Sequence, residues 1–586
     1  MKPFFRSFWG AFLGSLVALG LLFFLFFQLI GSLASVEKAE PLMPKSAILK
    51  IDFKAPVTEQ KSSEFSFDIL SGGPSFGESI SLLDVVRAID AAAQDPAIKF
   101  IYMTPDYATV SLSQAEEIRE ALDRFRASGK AVVSYSKAVS TGTYYLASIA
   151  DKAILNPYAD CLFSGLTANV MYYKDLIDKL GIDVQLIRHG KYKSAGEPYI
   201  ASQMSDANRE QYQVMLNTIW NVLAEGAAEH RPFSKDDFTR MVNNLEIKDG
   251  EGALEAGLFD ELWFDDQVEA YLCDLYGVSK AKQLKYVTLE EYAEAKVKPD
   301  LKVKDKIAVI FADGEIAMND KDTPAIGDYF AKTIAKVRRD SSVKAVVFRV
   351  NSPGGSVQAS AIIEREIALL KEVKPVIASY GDYAASGGYW ISCGCDKIFT
   401  DKTTLTGSIG VFGLMPSVGR AVAKNLHINT FEVSTSPHGS FYDMMHPLDN
   451  AEVAWMQNNI ETTYADFVAR VSAGRDMSAE SVDAIAQGRV WAGSDAIQIG
   501  LVDEIGTLSK AISYAASSVG LESYRIEEYP QVKGIYEKLM ESMGPAEHDD
   551  NVVKAEPADA MLKACEWAIG ISKPEVMARM ESIILK

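Results

Sequence analysis

Ser408 stands in the stretch Leu405-Thr406-Gly407-Ser408-Ile409-Gly410-Val411-Phe412-Gly413, with glycines on both sides and apolar residues beyond them. Glycine lets a backbone turn tightly and approach a ligand, and turn N–H groups can face a reacting carbonyl. That is a setting for a nucleophilic hydroxyl, although a Gly-Ser turn alone is common punctuation. A second stretch, Asn351-Ser352-Pro353-Gly354-Gly355-Ser356-Val357, ends an apolar run and opens a helical one. Its Gly354-Gly355 turn is suited to aim N–H groups at a developing oxyanion. A third, Gly190-Lys191-Tyr192-Lys193-Ser194-Ala195-Gly196-Glu197-Pro198, supplies lysines. A serine needs a base to take its proton, and lysine serves only as the neutral amine, which burial favours. Nucleophile, oxyanion turn and base are the parts of an acyl-transfer site.

The elements that must position these parts alternate between strand and helix. Ala47–Phe53 reads as a strand, Leu82–Ala93 as an amphipathic helix and Ile98–Met103 as a buried strand. Ser113–Arg126 then reads as a helix, Ala131–Tyr135 as a strand and Thr143–Ala150 as a short helix. Strands alternating with helices imply βαβ units and parallel pairing, hence an α/β fold.

The second half repeats this order. Ala88–Ile101 answers Thr333–Val346, Val132–Tyr135 answers Val376–Tyr380, and Asp151-Lys152-Ala153-Ile154 answers Asp396-Lys397-Ile398. Two similar domains lie in tandem. The charged, Pro299-containing stretch Tyr292–Lys306 suits a linker between them.

The copies differ where the chemistry lies. Opposite the Gly354-Gly355 turn the first copy reads Pro105-Asp106-Tyr107-Ala108, without a glycine pair, and Leu166 faces Ser408. The lysine loop follows the strand Val184–Arg188 in the first copy. Its counterpart after Thr430–Val433, Ser434-Thr435-Ser436-Pro437-His438, has no lysine. Each half therefore holds part of a site, and pairing of the halves would set Lys193 against Ser408. Tyr192 and Ala195 could give Lys193 apolar cover, with Glu197 turned elsewhere. Ser434 or Ser436 is a candidate to orient the amine. Lys191 is the competing lysine, and His438 and His446 would be needed for a serine–histidine arrangement.

Composition narrows the function classes. The chain has 586 residues and a formal charge of −20, which argues against nucleic acid as a partner. Cys161, Cys273, Cys393, Cys395 and Cys565 are too scattered for a disulfide framework. The pair Cys393 and Cys395 reads as buried small hydrophobes. No metal-ligand spacing is evident, and neither metal nor cofactor is expected. Phe8–Ile30 is almost unbroken apolar sequence, long enough to span a bilayer, preceded by Lys2 and Arg6. This predicts an uncleaved anchor with a cytoplasmic N-terminus, a cleaved signal peptide being the alternative.

Four segments together resemble the signal peptide peptidase A (protease IV) family in its long tandem form. They are Tyr192-Lys193-Ser194-Ala195-Gly196-Glu197-Pro198, Asn351-Ser352-Pro353-Gly354-Gly355-Ser356, Ala385-Ser386-Gly387-Gly388-Tyr389 and Leu405-Thr406-Gly407-Ser408-Ile409-Gly410. The resemblance implies tandem Clp protease/crotonase-like domains built of ββα units. It implies a Ser–Lys dyad with Ser408 as nucleophile and Lys193 as general base, alongside oxyanion donors at Gly354 and Gly355. It further implies cleaved signal peptides as substrates, and a homotetramer anchored in the bacterial inner membrane with its catalytic domains outside the cytoplasm. Gly196 departs from the pattern, where a bulkier apolar residue is expected.

The resulting organisation is an anchor over residues 1–34, a lysine-bearing repeat over 45–295, a serine-bearing repeat over 303–530 and a tail over 531–586. Helical patches are expected in that tail near Val532–Met543, Met561–Ile571 and Pro574–Ile584, as a peripheral appendage. Two other readings share the fold: a crotonase-type acyl-CoA enzyme and a non-catalytic membrane scaffold.

Overall fold

The structure is a computed structural model. It describes residues 14–15, 20–21, 43–61, 63–68, 73–106, 108–318, 327–531 and 576–580. The expected membrane anchor over Phe8–Ile30 lies almost wholly outside the described residues. Among the described residues no helix is long and apolar enough to cross a membrane.

The first half is built on strands β1 (Ala47–Ile51), β2 (Ile98–Met103), β3 (Val132–Ser140) and β4 (Lys152–Leu162), a further strand β5 (Asp183–His189), and short strands β6 (Glu261–Leu262) and β7 (Tyr286–Thr288). All but β5 form one parallel sheet in the order β6-β4-β3-β2-β1-β7. The apolar runs of β1 and β3 are buried because helices cover the sheet, as parallel pairing demands. Helix α1 (Leu82–Gln94) starts where Ser81 Oγ accepts the Asp84 N–H. Helix α2 (Leu112–Ala127) starts at a capping box between Ser111 and Gln114. The long helix α3 (Asp206–Ala228) follows the lysine loop.

The second half repeats the plan with β8 (Lys306–Asp313), β9 (Val343–Ser352), β10 (Gly354–Ser356), β11 (Val376–Ala385), β12 (Lys397–Thr400), β13 (Leu405–Gly407), β14 (Val411–Ser417), β15 (Val490–Ala492), β16 (Glu504–Ile505) and β17 (Arg525–Tyr529). Its main sheet runs β15-β13-β11-β9-β8-β17, with β12 on β11 and β16 on β12. Helix α4 (Val357–Lys371) opens directly after β10, and the short helix α5 (Gly387–Trp390) directly after Ser386. Helix α6 (Asn450–Arg475) buries Met456 and Ile460, whose side chains reach Gly413 in β14.

A third sheet joins the halves. Strand β5 of the first half pairs antiparallel with β14 of the second, in register from Asp183 opposite Ser417 to His189 opposite Val411. A final strand β18 (Val576–Arg579) lies between β14 and β10, antiparallel to both. This corrects the helix expected over Pro574–Ile584. An isolated segment follows its helical periodicity, but here the strands on either side offer hydrogen-bond partners to its backbone. The other tail helices expected, near Val532–Met543 and Met561–Ile571, lie outside the described residues.

The halves also share a buried ionic cluster. Arg349 Nε donates to Glu59 Oε2 at 2.7 Å and Arg349 Nη2 pairs with Glu117 Oε1 at 2.9 Å, every partner at most 2% exposed. Glu59 and Glu117 come from the first half and Arg349 from β9. Removal from water pushes the Glu117 carboxyl up to about 7, against the pull of Arg349 and with the push of Glu59.

Candidate active site

Strand β13 ends at Gly407, and there the chain turns out of the sheet through two residues with positive φ: Gly407 at 76° and Ser408 at 49°. A serine in that region is strained by about 1–3 kcal/mol and must be held by its surroundings. The Ser408 N–H donates to Arg489 O at 2.7 Å, and Ser386 N–H donates to Gly407 O at 2.8 Å. Ser386 also has positive φ, 55°, where β11 breaks into α5. Two serines on positive-φ corners are thus fixed side by side.

Lys193 arrives from the other half. Its Nζ stands 3.1 Å from Ser408 Oγ, 3.2 Å from Ser408 O and 2.8 Å from Ser386 Oγ, and the residue is 1% exposed. The ring of Phe412 lies 5.9 Å from Nζ. Lys191 is exposed, with its Nζ 4.7 Å from the face of Tyr192. The two lysines diverge because the loop turns at Tyr192, whose N–H donates to Gln487 O at 2.9 Å.

The second half grips the lysine loop closely. Gly488, at φ 78°, has no room for a side chain, since a Cβ there would lie 2.6 Å from both the N and the Cβ of Lys193. Gly488 N–H in turn donates to Ile409 O at 2.8 Å, so one turn touches the lysine and the serine segments together. Gln211 of α3 bridges as well: its Nε2 donates to Ser194 Oγ at 3.2 Å while its Oε1 accepts the Val490 N–H at 3.1 Å.

Glu197 is turned away from Lys193, as expected. It is buried and accepts from Tyr172 Oη at 2.9 Å and from Ser205 N–H at 2.7 Å. Gly196 also has its reason. A Cβ there would meet Leu186 Cδ1 at 2.5 Å and Leu414 Cδ2 at 3.2 Å, so leucines of β5 and β14 fill the space a larger residue would take.

Gly354 and Gly355 are buried in β10. Gly354 N–H donates to Ser352 Oγ at 3.2 Å. A side chain on Gly355 is impossible, because its Cβ would lie 1.9 Å from Ile316 O. The turn lies across β18 from the serine: Met580 N–H donates to Pro353 O at 2.8 Å, and Met580 lines a cavity with Ser408, Lys193, Tyr212, Met215 and Val490.

Ser434 and Ser436 lie elsewhere. Thr430–Val433 forms no strand, and the loop beyond it is exposed, with Ser434 Oγ donating to Ser436 O at 2.8 Å. The hydroxyl that stands beside Lys193 is that of Ser386. Ser386 was legible as part of the Ala385-Ser386-Gly387-Gly388 segment, but nothing in that segment says which way its hydroxyl points. His438 and His446 are exposed among carboxylates, His438 Nδ1 lying 3.2 Å from Glu452 Oε1. Among the described residues, two groups with spacing that could hold a cation, Asp123–Glu229–His230 and His438–Asp449–Glu452, lie at half-buried or exposed positions, and no spacing along the sequence announces them. Cys393 and Cys395 are buried, and desolvation pushes the Cys393 thiol up to about 12.

A sequence model of Peptidase family S49 matches residues 124–296 and 368–522. Protease 4 of Haemophilus influenzae is 36% identical over 461 residues, covering 75% of this chain and 73% of that protein. Protease 4 of Salmonella typhi is 34% identical and covers 89% and 87%. The chloroplastic serine protease SPPA of Arabidopsis thaliana is 31% identical and covers 81% and 70%. Among solved structures, a ClpP1 mutant from Listeria monocytogenes aligns over 35% of this chain and 94% of its own, with 15% identity and a TM-score of 0.23.

Proposed function

Since the chain belongs to peptidase family S49 and is a serine protease, we propose that it hydrolyses peptides through a Ser408–Lys193 dyad split between its halves. The observation that carries this reading is the 3.1 Å approach of Lys193 Nζ to Ser408 Oγ in a buried setting. An ammonium cannot take a proton, and removal from water favours the neutral amine. Ser386 Oγ, 2.8 Å from the same nitrogen, orients the amine lone pair towards Ser408.

In the reaction Ser408 Oγ attacks the substrate carbonyl as Lys193 takes its proton. N–H groups of the Gly354-Gly355 turn hold the oxyanion. Lys193 then protonates the leaving amine and activates the water that hydrolyses the ester. The substrate is an extended peptide bound partly by strand addition to a sheet edge. The apolar cavity lined by Tyr212, Met215 and Val490 favours an apolar side chain beside Ser408. Cleaved signal peptides have that chemistry. An anchor over Phe8–Ile30, extracytoplasmic catalytic halves at the bacterial inner membrane and a homotetrameric assembly complete the reading on the strength of the resemblance. No cofactor or metal enters it.

The test is hydrolysis of a quenched apolar signal-sequence peptide. Wild type and Lys191→Ala should cleave it, whereas Ser408→Ala and Lys193→Ala should not. Full activity in Ser408→Ala would overturn the reading.

A further inference from the structure

One turn touches both the lysine loop and the serine segment. Gln487, Gly488 and Arg489 come just after helix α7 (Ala479–Ile485). Gln487 O accepts the Tyr192 N–H at 2.9 Å, Gly488 N–H donates to Ile409 O at 2.8 Å, and Arg489 O accepts the Ser408 N–H at 2.7 Å. Gly190, at the start of the lysine loop, lies so close that a Cβ on it would stand 2.4 Å from Gln487 O. Three successive residues thus hold the backbones that carry Lys193 and Ser408. Whatever fixes the turn fixes the gap between them.

Gln487 has a backbone that would suit glycine better. Its φ is 55°, in the left-handed region, and Gly488 after it is at 78°. Glycine adopts that region without steric cost, whereas a glutamine there is strained and persists only where its surroundings hold it. Its side chain does the holding. Gln487 Nε2 donates to Asp483 Oδ1 of α7 at 2.7 Å, the same oxygen to which the Tyr464 hydroxyl of α6 donates. Tyr464 Oη in turn accepts from Gln487 Nε2 and from the Gln487 N–H, each at 3.4 Å. Tyr464 is buried and braced by the first half. His189, the last residue of β5, stacks on its ring with centroids 3.7 Å apart, and His189 Nδ1 lies 2.6 Å from Glu461 Oε2 of α6.

We propose that Gln487 is a positioning residue for Lys193: its side-chain amide, bound to Asp483 and Tyr464, fixes the turn that sets the lysine amine against the Ser408 hydroxyl. This rests on the dyad reading above. Proton transfer needs base and nucleophile within hydrogen-bond reach, so loss of the anchor acts on the chemical step and not on substrate binding.

Steady-state hydrolysis of the quenched apolar peptide by the full-length protein in detergent, with thermal midpoints of the same samples, tests this. Gln487→Gly removes the amide and relieves the backbone at once. Its thermal midpoint should stay near that of the wild type while kcat falls by about tenfold or more at little-changed KM. Gln487→Glu, of the same size, sets a carboxylate against Asp483 and should lose kcat as well. Combining it with Asp483→Asn puts amide and carboxylate in each other's place and should recover most of the rate. Wild-type kcat in Gln487→Gly would overturn the proposal and, with Lys193→Ala inactive, leave the dyad reading standing. A loss of kcat that accompanies a lowered thermal midpoint and is not relieved by the exchange would overturn it too, as the mark of a merely structural role. Full activity in Lys193→Ala would overturn the dyad reading and this proposal with it.

Discussion

His189 lies directly opposite Val411 at the end of the antiparallel pair that joins the two halves. Lys193 is four residues beyond His189 and Ser408 three residues before Val411. The register of two strands from distant parts of the chain therefore fixes how closely Lys193 and Ser408 meet. A slip by one residue would put Leu186 and Leu414, which now face each other across the pair, on opposite faces of this sheet.

The chemistry of the base separates lysine from arginine. Lys193→Arg should lose activity as completely as Lys193→Ala, by about 10²–10⁴-fold in kcat, because a guanidinium stays protonated and cannot accept the serine proton. Single-turnover hydrolysis of the quenched peptide measures this. Substantial activity in the arginine variant would mean that Lys193 acts as a fixed charge instead.

On the proposed dyad reading, Ser386 positions that amine. Ser386→Ala removes one hydrogen bond of 2.8 Å to Lys193 Nζ. A hydrogen bond is worth about 0.5–1.5 kcal/mol, so kcat/KM should fall roughly 2- to 13-fold. The pH profile of kcat/KM should move with it, since the lysine environment changes. An unchanged profile alongside a lowered rate would point to a structural role only.

Gly488→Ala should disable the site from outside the dyad. Its Cβ would collide with the Lys193 backbone, and its φ of 78° is unfavourable for alanine. Displacing the base by about 1 Å can cost on the order of 10²-fold in rate. Far-UV circular dichroism should remain that of the wild type while kcat collapses, with KM little changed.

Glu117 should leave a signature in the pH dependence of stability. Its folded pKa of about 7 lies above the ordinary carboxylate range because burial opposes its charge. The folded state therefore binds this proton more tightly than the unfolded state does. The stability it contributes is fully present below the ordinary carboxylate range and is lost as pH rises through about 7. Urea midpoints taken from about pH 4.5 to about pH 8 should fall more steeply for wild type than for Glu117→Gln, which cannot titrate. Parallel slopes would exclude Glu117 as the group responsible.

The sequence by itself determined the duplication, the α/β alternation and the segments that carry chemistry. Those are properties of local pattern: apolar runs bury, capping residues start helices, and glycine pairs turn. The difference between the copies also showed that the serine and the lysine reside in different halves. Only the tertiary structure decided what meets across that division. Ser386 and Gly488 reach the lysine loop from the other half, and Gln211 ties that loop to Val490 across the interface, and no spacing encodes such contacts. Ser434 and Ser436 illustrate the converse, since matching the repeats places them near Lys193 while their segment finds no strand partner and stays in solvent. The last strand is the clearest case. Residues 576–579 have a pattern that permits a helix, and their conformation is set by the paired edges of β10 and β14. Strand pairing satisfies backbone groups whatever the local propensity, so its partners must be known before the conformation can be read.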